Sequence, residues 1–180
     1  MGSKSNVAVV GYASVSELVN TAILNGVSVT SAVTIVGYSA TGVSTTISSG
    51  LSCVSSNVTA LKVGSSTCSV SLDGTETSNA VSMNVVASAG GLSMAIVFRV
   101  WTPATPITLQ LGVSTLHAIE NWSVSSGSSC VQGYERTTLS ASASFSYDSS
   151  SATVLDVTSL IVNSLHVGNG SVVAVSGTTG

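Results

Sequence analysis

The chain has 180 residues, enough for one large domain or two small ones, and a hydrophobic fraction of 44% that allows a sizeable core. Charged residues make up only 6% of it, against about 25% in an ordinary soluble domain, and the net charge is −3 with Lys4, Lys62, Arg99 and Arg136 as the only bases. So few bases argue against nucleic acid as a partner, since neutralising a row of phosphates is what that affinity requires, and no apolar run approaches the roughly 18 residues of a spanning helix, so no membrane span is read in this chain.

Serine alone fills about a fifth of the sequence, and together with Thr, Val, Ala and Gly it makes a small, β-branched, hydroxylated mixture suited to pleated sheets with neutral outer faces. In chain order, residues 6–12 and 27–38 show Val, Ala and Ile separated by Ser and Thr, the period of half-buried strands, with Gly26, Gly37 and Gly42 as punctuation. Between them Val15, Leu18, Val19 and Ala22 recur at helical spacing, so residues 14–24 read as one short helix or as an irregular edge. Residues 39–52 are rich in turn formers. Residues 60–63 form a short strand, Cys68, Val70 and Leu72 share one face of the next, and Asp73-Gly74 makes a turn. Val81, Met83, Val85 and Ala87 then alternate, Gly90-Gly91 turns the chain, and Leu92, Met94, Ile96, Phe98 and Val100 alternate on the returning strand, the clearest hairpin in the sequence.

Pro103 and Pro106, the two prolines of the chain, keep the backbone extended and cannot donate to a sheet ladder. The domain boundary is placed there, with 1–101 as one β-sandwich, 102–106 as a hinge and 107–180 as a second sandwich. In the second, Ile107, Leu109, Leu111 and Val113 alternate as a first strand, residues 123–129 form a Ser/Gly-rich loop, and Leu139, Ala141, Ala143, Phe145 and Tyr147 alternate as another. Asp156-Val157-Thr158 is a polar turn ahead of an apolar stretch. Residues 171–175 are the last strand visible, so the second sandwich lacks its final one. Short strands at turn-separated spacing with no helical repeats describe an all-β sandwich architecture. A single larger barrel is the alternative, disfavoured by the proline-bracketed junction.

Three cysteines and three N-glycosylation sequons, at Asn57, Asn121 and Asn169, favour a secreted or cell-surface location. The start Met1-Gly2-Ser3 lacks the basic and apolar regions of a secretory leader. Cys53 and Cys68 are expected to form a disulfide between neighbouring strands, the alternative being two buried free thiols. Cys130 is left over, for an interchain bond, for a mate on another segment, or as a buried reduced thiol.

The run from Cys53 through Ser55-Ser56-Asn57, Leu61-Lys62-Val63, Cys68 and Leu72-Asp73-Gly74-Thr75-Glu76-Thr77 to Phe98-Arg99-Val100-Trp101-Thr102-Pro103 resembles the central ectodomain of the transmembrane protein 132 family. Tyr12 in Val9-Val10-Gly11-Tyr12-Ala13-Ser14, the segment 116–122 and Cys130 ahead of Tyr134 fit the same template. Residues 138–180, with Asp156-Val157-Thr158 and Ser171-Val172-Val173-Ala174-Val175, resemble a bacterial Ig-like group 2 repeat. The resemblance implies two tandem Ig-like β-sandwiches, an extracellular adhesive or structural role, and no catalytic residues.

Nothing in the chain calls for a cofactor or a metal. His117 and His166 stand alone where a tetrahedral site wants four ligands at set spacings, no D-x-D-x-D-G calcium loop occurs, and no G-x-S-x-G elbow supports a hydrolase. Trp101 and Trp122 read either as a sugar platform or, with Pro103 and Pro106, as interdomain packing. Arg99 has Glu76 or Glu120 as candidate partners, with a solvated strand face as the default. A sandwich short of its last strand leaves an edge to be covered, and residues 6–12 of a neighbouring copy would complete it by strand addition, giving a glycosylated filament whose partners are other copies or other surface proteins. The other reading is a carbohydrate- or ligand-binding module of a membrane-anchored adhesion protein.

Overall fold

The computed structural model of the chain describes residues 6–77, 82–126, 129–170 and 173–176. The fold is all-β and Ig-like, built of antiparallel sheets, and the helices among the described residues are single turns. Two compact units are present, Met1–Ala104 with Ser144–Val154, and Thr105–Ala143 with Leu155–Gly180. The first unit thus takes back a segment that follows much of the second in sequence.

The first unit contains β1 (Asn6–Ala13), β2 (Glu17–Val19), α1 (Ala22–Asn25), β3 (Val29–Ser31), β4 (Val33–Ser39), β5 (Ser44–Thr46), β6 (Leu51–Ser55), β7 (Lys62–Val63), β8 (Val70–Leu72), β9 (Met83–Ala89) and β10 (Leu92–Pro103). They form a β1–β4–β5 sheet, a β3–β8–β7 sheet and a β6–β9–β10 sheet, and β2 adds to β10 in parallel. The expected hairpin is β9–β10: Gly90 and Gly91 turn the chain at φ 57° and 83°, in the left-handed region that glycine enters without steric cost. The register sets Met83 opposite Phe98 and Val85 opposite Ile96. Because alternate residues share a face, these four side chains point inward, where they join Leu18, Ile35, Leu61, Val70, Leu72 and the two half-cystines in one buried cluster. Val81, expected on the same strand, lies outside the described residues.

Four local readings change. Residues 14–24 hold β2 and then the one-turn α1, because Leu18 is buried from a strand that pairs with β10; the helical spacing of Val15, Leu18, Val19 and Ala22 comes from two elements in succession. Residues 27–38 split at Ala32 into β3 and β4, which join different sheets. The split is held by Ser31, whose Oγ donates to the Val15 carbonyl at 2.7 Å and accepts the Val15 N–H at 3.1 Å. Of residues 60–63 only Lys62–Val63 is strand; Ala60 and Leu61 close a turn by donating to the Asn57 carbonyl. The segment 102–106 begins as strand, since Thr102 and a buried Pro103 pair with Ser146 and Phe145.

The second unit contains β11 (Thr108–Leu111), β12 (Ala118–Ser126), β13 (Ser129–Tyr134), the first part of β14 (Leu139–Ser146), the end of β15 (Ala152–Asp156), α2 (Thr158–Ile161) and a 3-10 turn at Val162–Ser164. β11 pairs with β14, Leu109 opposite Ala141. Of the Ser/Gly-rich loop expected at 123–129, residues 123–126 and Ser129 instead belong to the antiparallel strands β12 and β13, in which Ser125 pairs with Cys130, and residues 127–128 lie outside the described residues. Ala141, Ala143, Val157 and Ile161 are buried. They are brought together where the Val157 N–H donates to the Ala141 carbonyl and Thr158 Oγ1 accepts the Ala141 N–H, at 2.9 and 2.8 Å. Of the strand expected at 171–175, residues 173–175 carry no strand and 171–172 lie outside the described residues; Val173 and Val175 are exposed.

Candidate functional site

The stretch 53–77 is the most heavily braced part of the first unit. Cys53 on β6 is bonded to Cys68, Cα to Cα 5.3 Å, so the alternative of two free thiols is set aside. Both half-cystines are buried, but Cys68 is in a turn and not on β8. It sits at φ 58°, and its N–H donates to Gly64 O at 2.8 Å. A non-glycine residue in that region costs about 1–2 kcal/mol, so the cross-link holds a strained residue in place.

Next to it, the Asp73-Gly74 turn is wrapped in side chains. Asp73 Oδ1 accepts Thr75 Oγ1–H at 2.8 Å, and Lys62 Nζ donates to Asp73 at 2.6 Å and to Thr75 Oγ1 at 2.6 Å. The Lys62 ammonium, followed by the Thr75 bonds, holds the Asp73 carboxyl well below the usual carboxylate range. Its contribution to stability is therefore complete above the ordinary carboxylate value and is lost progressively as pH falls below it. The Glu76 carboxylate reaches back to accept the N–H groups of Asp73 and Gly74, both at 2.9 Å, and the Asn20 amide at 3.0 Å. Asn20 is fully buried, and its Oδ1 has no partner among the described residues. Gly74 is irreplaceable on two counts: φ is 86°, and a Cβ there would lie 2.6 Å from the Ala22 carbonyl oxygen, a backbone atom. Gly74→Ala is expected to destabilise the first unit by about 2–3 kcal/mol, from left-handed strain plus overpacking; a thermal unfolding curve checks it.

On the outer side of β10, Arg99 donates to Glu17 Oε1 at 2.7 Å. It therefore pairs with neither Glu76 nor Glu120, because β2 lies beside it in parallel register. Arg99 also lies 5.6 Å over the Tyr147 ring, and Trp101, two residues on and so on the same face, packs edge-on against Tyr147 with centroids 4.7 Å apart. This half-exposed cluster belongs to the first unit. Trp122 lies in the second unit on β12, 48% exposed and seated over Gly133; the β12 bulge before it places Asn121 at φ 60°, and Gln132 Nε2 braces the bulge by donating to the Ile119 and Trp122 carbonyls. Pro106, whose peptide bond to Thr105 is cis, is exposed.

The three sequons sit differently. Asn57 is half-buried, its Oδ1 accepting Thr59 N–H and Oγ1–H at 3.1 and 2.7 Å, whereas Asn121 and Asn169 are exposed. Ser171, the third member of the last sequon, lies outside the described residues. Cys130 is an exposed free thiol on β13, which sets aside the buried thiol. In the native chain a thiol-reactive dye is expected to label Cys130 alone, and all three cysteines only after reduction and denaturation; fast labelling of more than one native thiol would contradict the disulfide.

In the second unit an open cavity of about 590 Å³ lies between residues 113–117 and the pair Glu135 and Arg136. The loop that forms one wall is tied to the other at both ends: Gly112 N–H to Thr138 O, Val113 N–H to Thr137 Oγ1, and His117 N–H to Glu135 Oε2, the last at 3.0 Å. No group of three His, Cys, Asp or Glu side chains converges among the described residues, nor is any helix among them long and apolar enough to cross a membrane.

What sequence reasoning missed is mostly long-range. The Glu17–Arg99 pair and the Asn20–Glu76 bond join residues far apart in sequence, and no local pattern announces them. The Glu76 brace had a local signal, Asp73-Gly74-Thr75 followed by a carboxylate within reach of the turn's N–H groups.

A family model described as the TMEM132 fourth domain matches residues 8–105. The match covers just over half of the chain and nearly all of the first contiguous part of the first unit.

Proposed function

The chain belongs to the TMEM132 family, and on that premise we propose that it is a non-enzymatic extracellular module with an adhesive or structural role, a repeating subunit that associates through its β-sheets. The observation that carries this reading is the character of the outer strand faces in the first unit. Val10, Tyr12 and Tyr38 are 51%, 57% and 37% exposed on the β1–β4–β5 sheet, and Val54, Val86 and Val97 are 60%, 40% and 52% exposed on the β6–β9–β10 sheet. Exposed apolar surface marks protein–protein contact surfaces, and an edge strand without lysine or proline, as β1 is, lacks the usual guards against pairing with another chain. β1 is paired with β4 from Asn6 to Ala13, so strand addition to a neighbouring copy uses the outer edge of β1 and needs no free donor strand. Glycans at Asn57, Asn121 and Asn169 complete the reading as a surface glycoprotein, and the disulfide fits an oxidising compartment.

Beads coated with the whole chain test it. The wild type is expected to aggregate beads, and Val10→Lys, at a solvent-facing position on β1, to suppress aggregation while leaving the unfolding midpoint unchanged. Equal aggregation by the two proteins, or none by either, overturns this reading. The second reading, a carbohydrate- or ligand-binding module of a membrane-anchored adhesion protein, is favoured by the open cavity beside Arg136.

A further inference from the structure

We propose that the cavity between residues 113–117 and Glu135–Arg136 binds an acidic sugar carrying one carboxylate per charged residue, of the uronate class. This rests on the extracellular placement proposed above. Lys62 and Arg99 are consumed by Asp73 and Glu17, so among the described residues Arg136 is the one Lys or Arg side chain with no ion pair. It lines an open surface groove of about 590 Å³ whose other lining residues, Leu116 apart, are exposed. A guanidinium grips a carboxylate in bidentate fashion.

The remaining lining selects for a sugar over other anions. Ser114 and Thr115 supply hydroxyls, the His117 ring supplies a further polar group, and Val113 and Leu116 supply an apolar wall for the C–H face of a pyranose ring. The Glu135 carboxylate takes its N–H from the His117 backbone through Oε2, which leaves the rest of the carboxylate to accept sugar hydroxyls. That same negative charge, beside a single Arg, opposes a densely anionic ligand such as a polysulfated glycan or an oligoglutamate peptide. The hydrogen bonds that tie Gly112, Val113 and His117 to residues 135–138 fix both walls before any ligand arrives, which lowers the entropic cost of binding.

The test is calorimetric titration of the whole chain with a tetrasaccharide of alternating glucuronate and N-acetylglucosamine, beside neutral chitotetraose, a heparin tetrasaccharide and tetraglutamate. The expected result is saturable binding of the uronate tetrasaccharide, weakened about tenfold or more in Arg136→Ala, partly retained in Arg136→Lys, and absent for chitotetraose. Arg136 is exposed, so the variants should unfold at the wild-type midpoint. No saturable binding of the uronate tetrasaccharide, binding unchanged in Arg136→Ala, equal binding of chitotetraose, or tighter binding of heparin or tetraglutamate each overturns the proposal. Bead aggregation measured on the same preparations separates the two ideas, since aggregation that persists without sugar binding removes this inference alone.

Discussion

Phe98→Ala is expected to lower the stability of the first unit by about 3–5 kcal/mol, the range for emptying a buried aromatic site. Phe98 has no exposed surface and belongs to the cluster that includes Met83, Val85, Ile96, Leu61 and both half-cystines. It lies on β10, where backbone pairs to β9 on one side and to β2 and the end of β14 on the other limit how far the walls can collapse into the void. Val97→Ala, one residue away but 52% exposed, should change stability by no more than about 0.5 kcal/mol. Denaturant unfolding of the two variants measures the contrast, and equal losses would mean that the inward and outward faces of β10 have been misassigned.

Replacing Cys53 and Cys68 together with alanine is expected to cost about 3 kcal/mol, the chain-entropy value for a loop of about 15 residues. The bond closes a segment of that separation, so its main effect is on the unfolded chain. A second effect is local. Cys68 is held at φ 58°, and without the cross-link the turn 64–69 can relax away from the Cys53 N–H, which donates to Ser65 O at 2.8 Å. Chemical denaturation of the double variant, compared with wild type in oxidised form, checks the size; a change below about 1 kcal/mol would show that the bond is absent in solution or that the unfolded state is already constrained.

The β9–β10 hairpin was legible because two conditions coincided: each strand is buried on one face only, and a glycine pair supplies the turn. Burial on one face is what writes a period of two into a sequence. Where that condition fails, so does the reading. β12 and β13 are largely exposed and rich in serine, so nothing in 123–129 distinguishes strand from loop. β2 is three residues long, too short to show a period, and its fusion with α1 counterfeits a helical spacing. Of the alternating Ile107, Leu109, Leu111 and Val113, only Leu109 and Leu111 fall on β11, and these two side chains remain 50% and 55% exposed, because alternation records a pleat and says nothing of what lies against it. The return of residues 144–154 to the first unit is written in sheet pairing between β10 and β14, a non-local fact.

The candidate sites divide along the same line. Cys53 and Cys68 could be paired from their close spacing, although Cys68 lies off the strand expected to carry it. The bracing of the Asp73-Gly74 turn by Lys62, Glu76 and Asn20 required the fold, and so did the cavity of Arg136, whose two walls come from segments about twenty residues apart.

Sedimentation velocity on the whole chain, over a wide concentration range in the Cys130→Ser background that removes interchain disulfides, tests the self-association reading most directly. The account predicts a sedimentation coefficient that rises with concentration in Cys130→Ser and stays at the monomer value when Val10→Lys is added. A single monomeric boundary at every concentration in both proteins would contradict it.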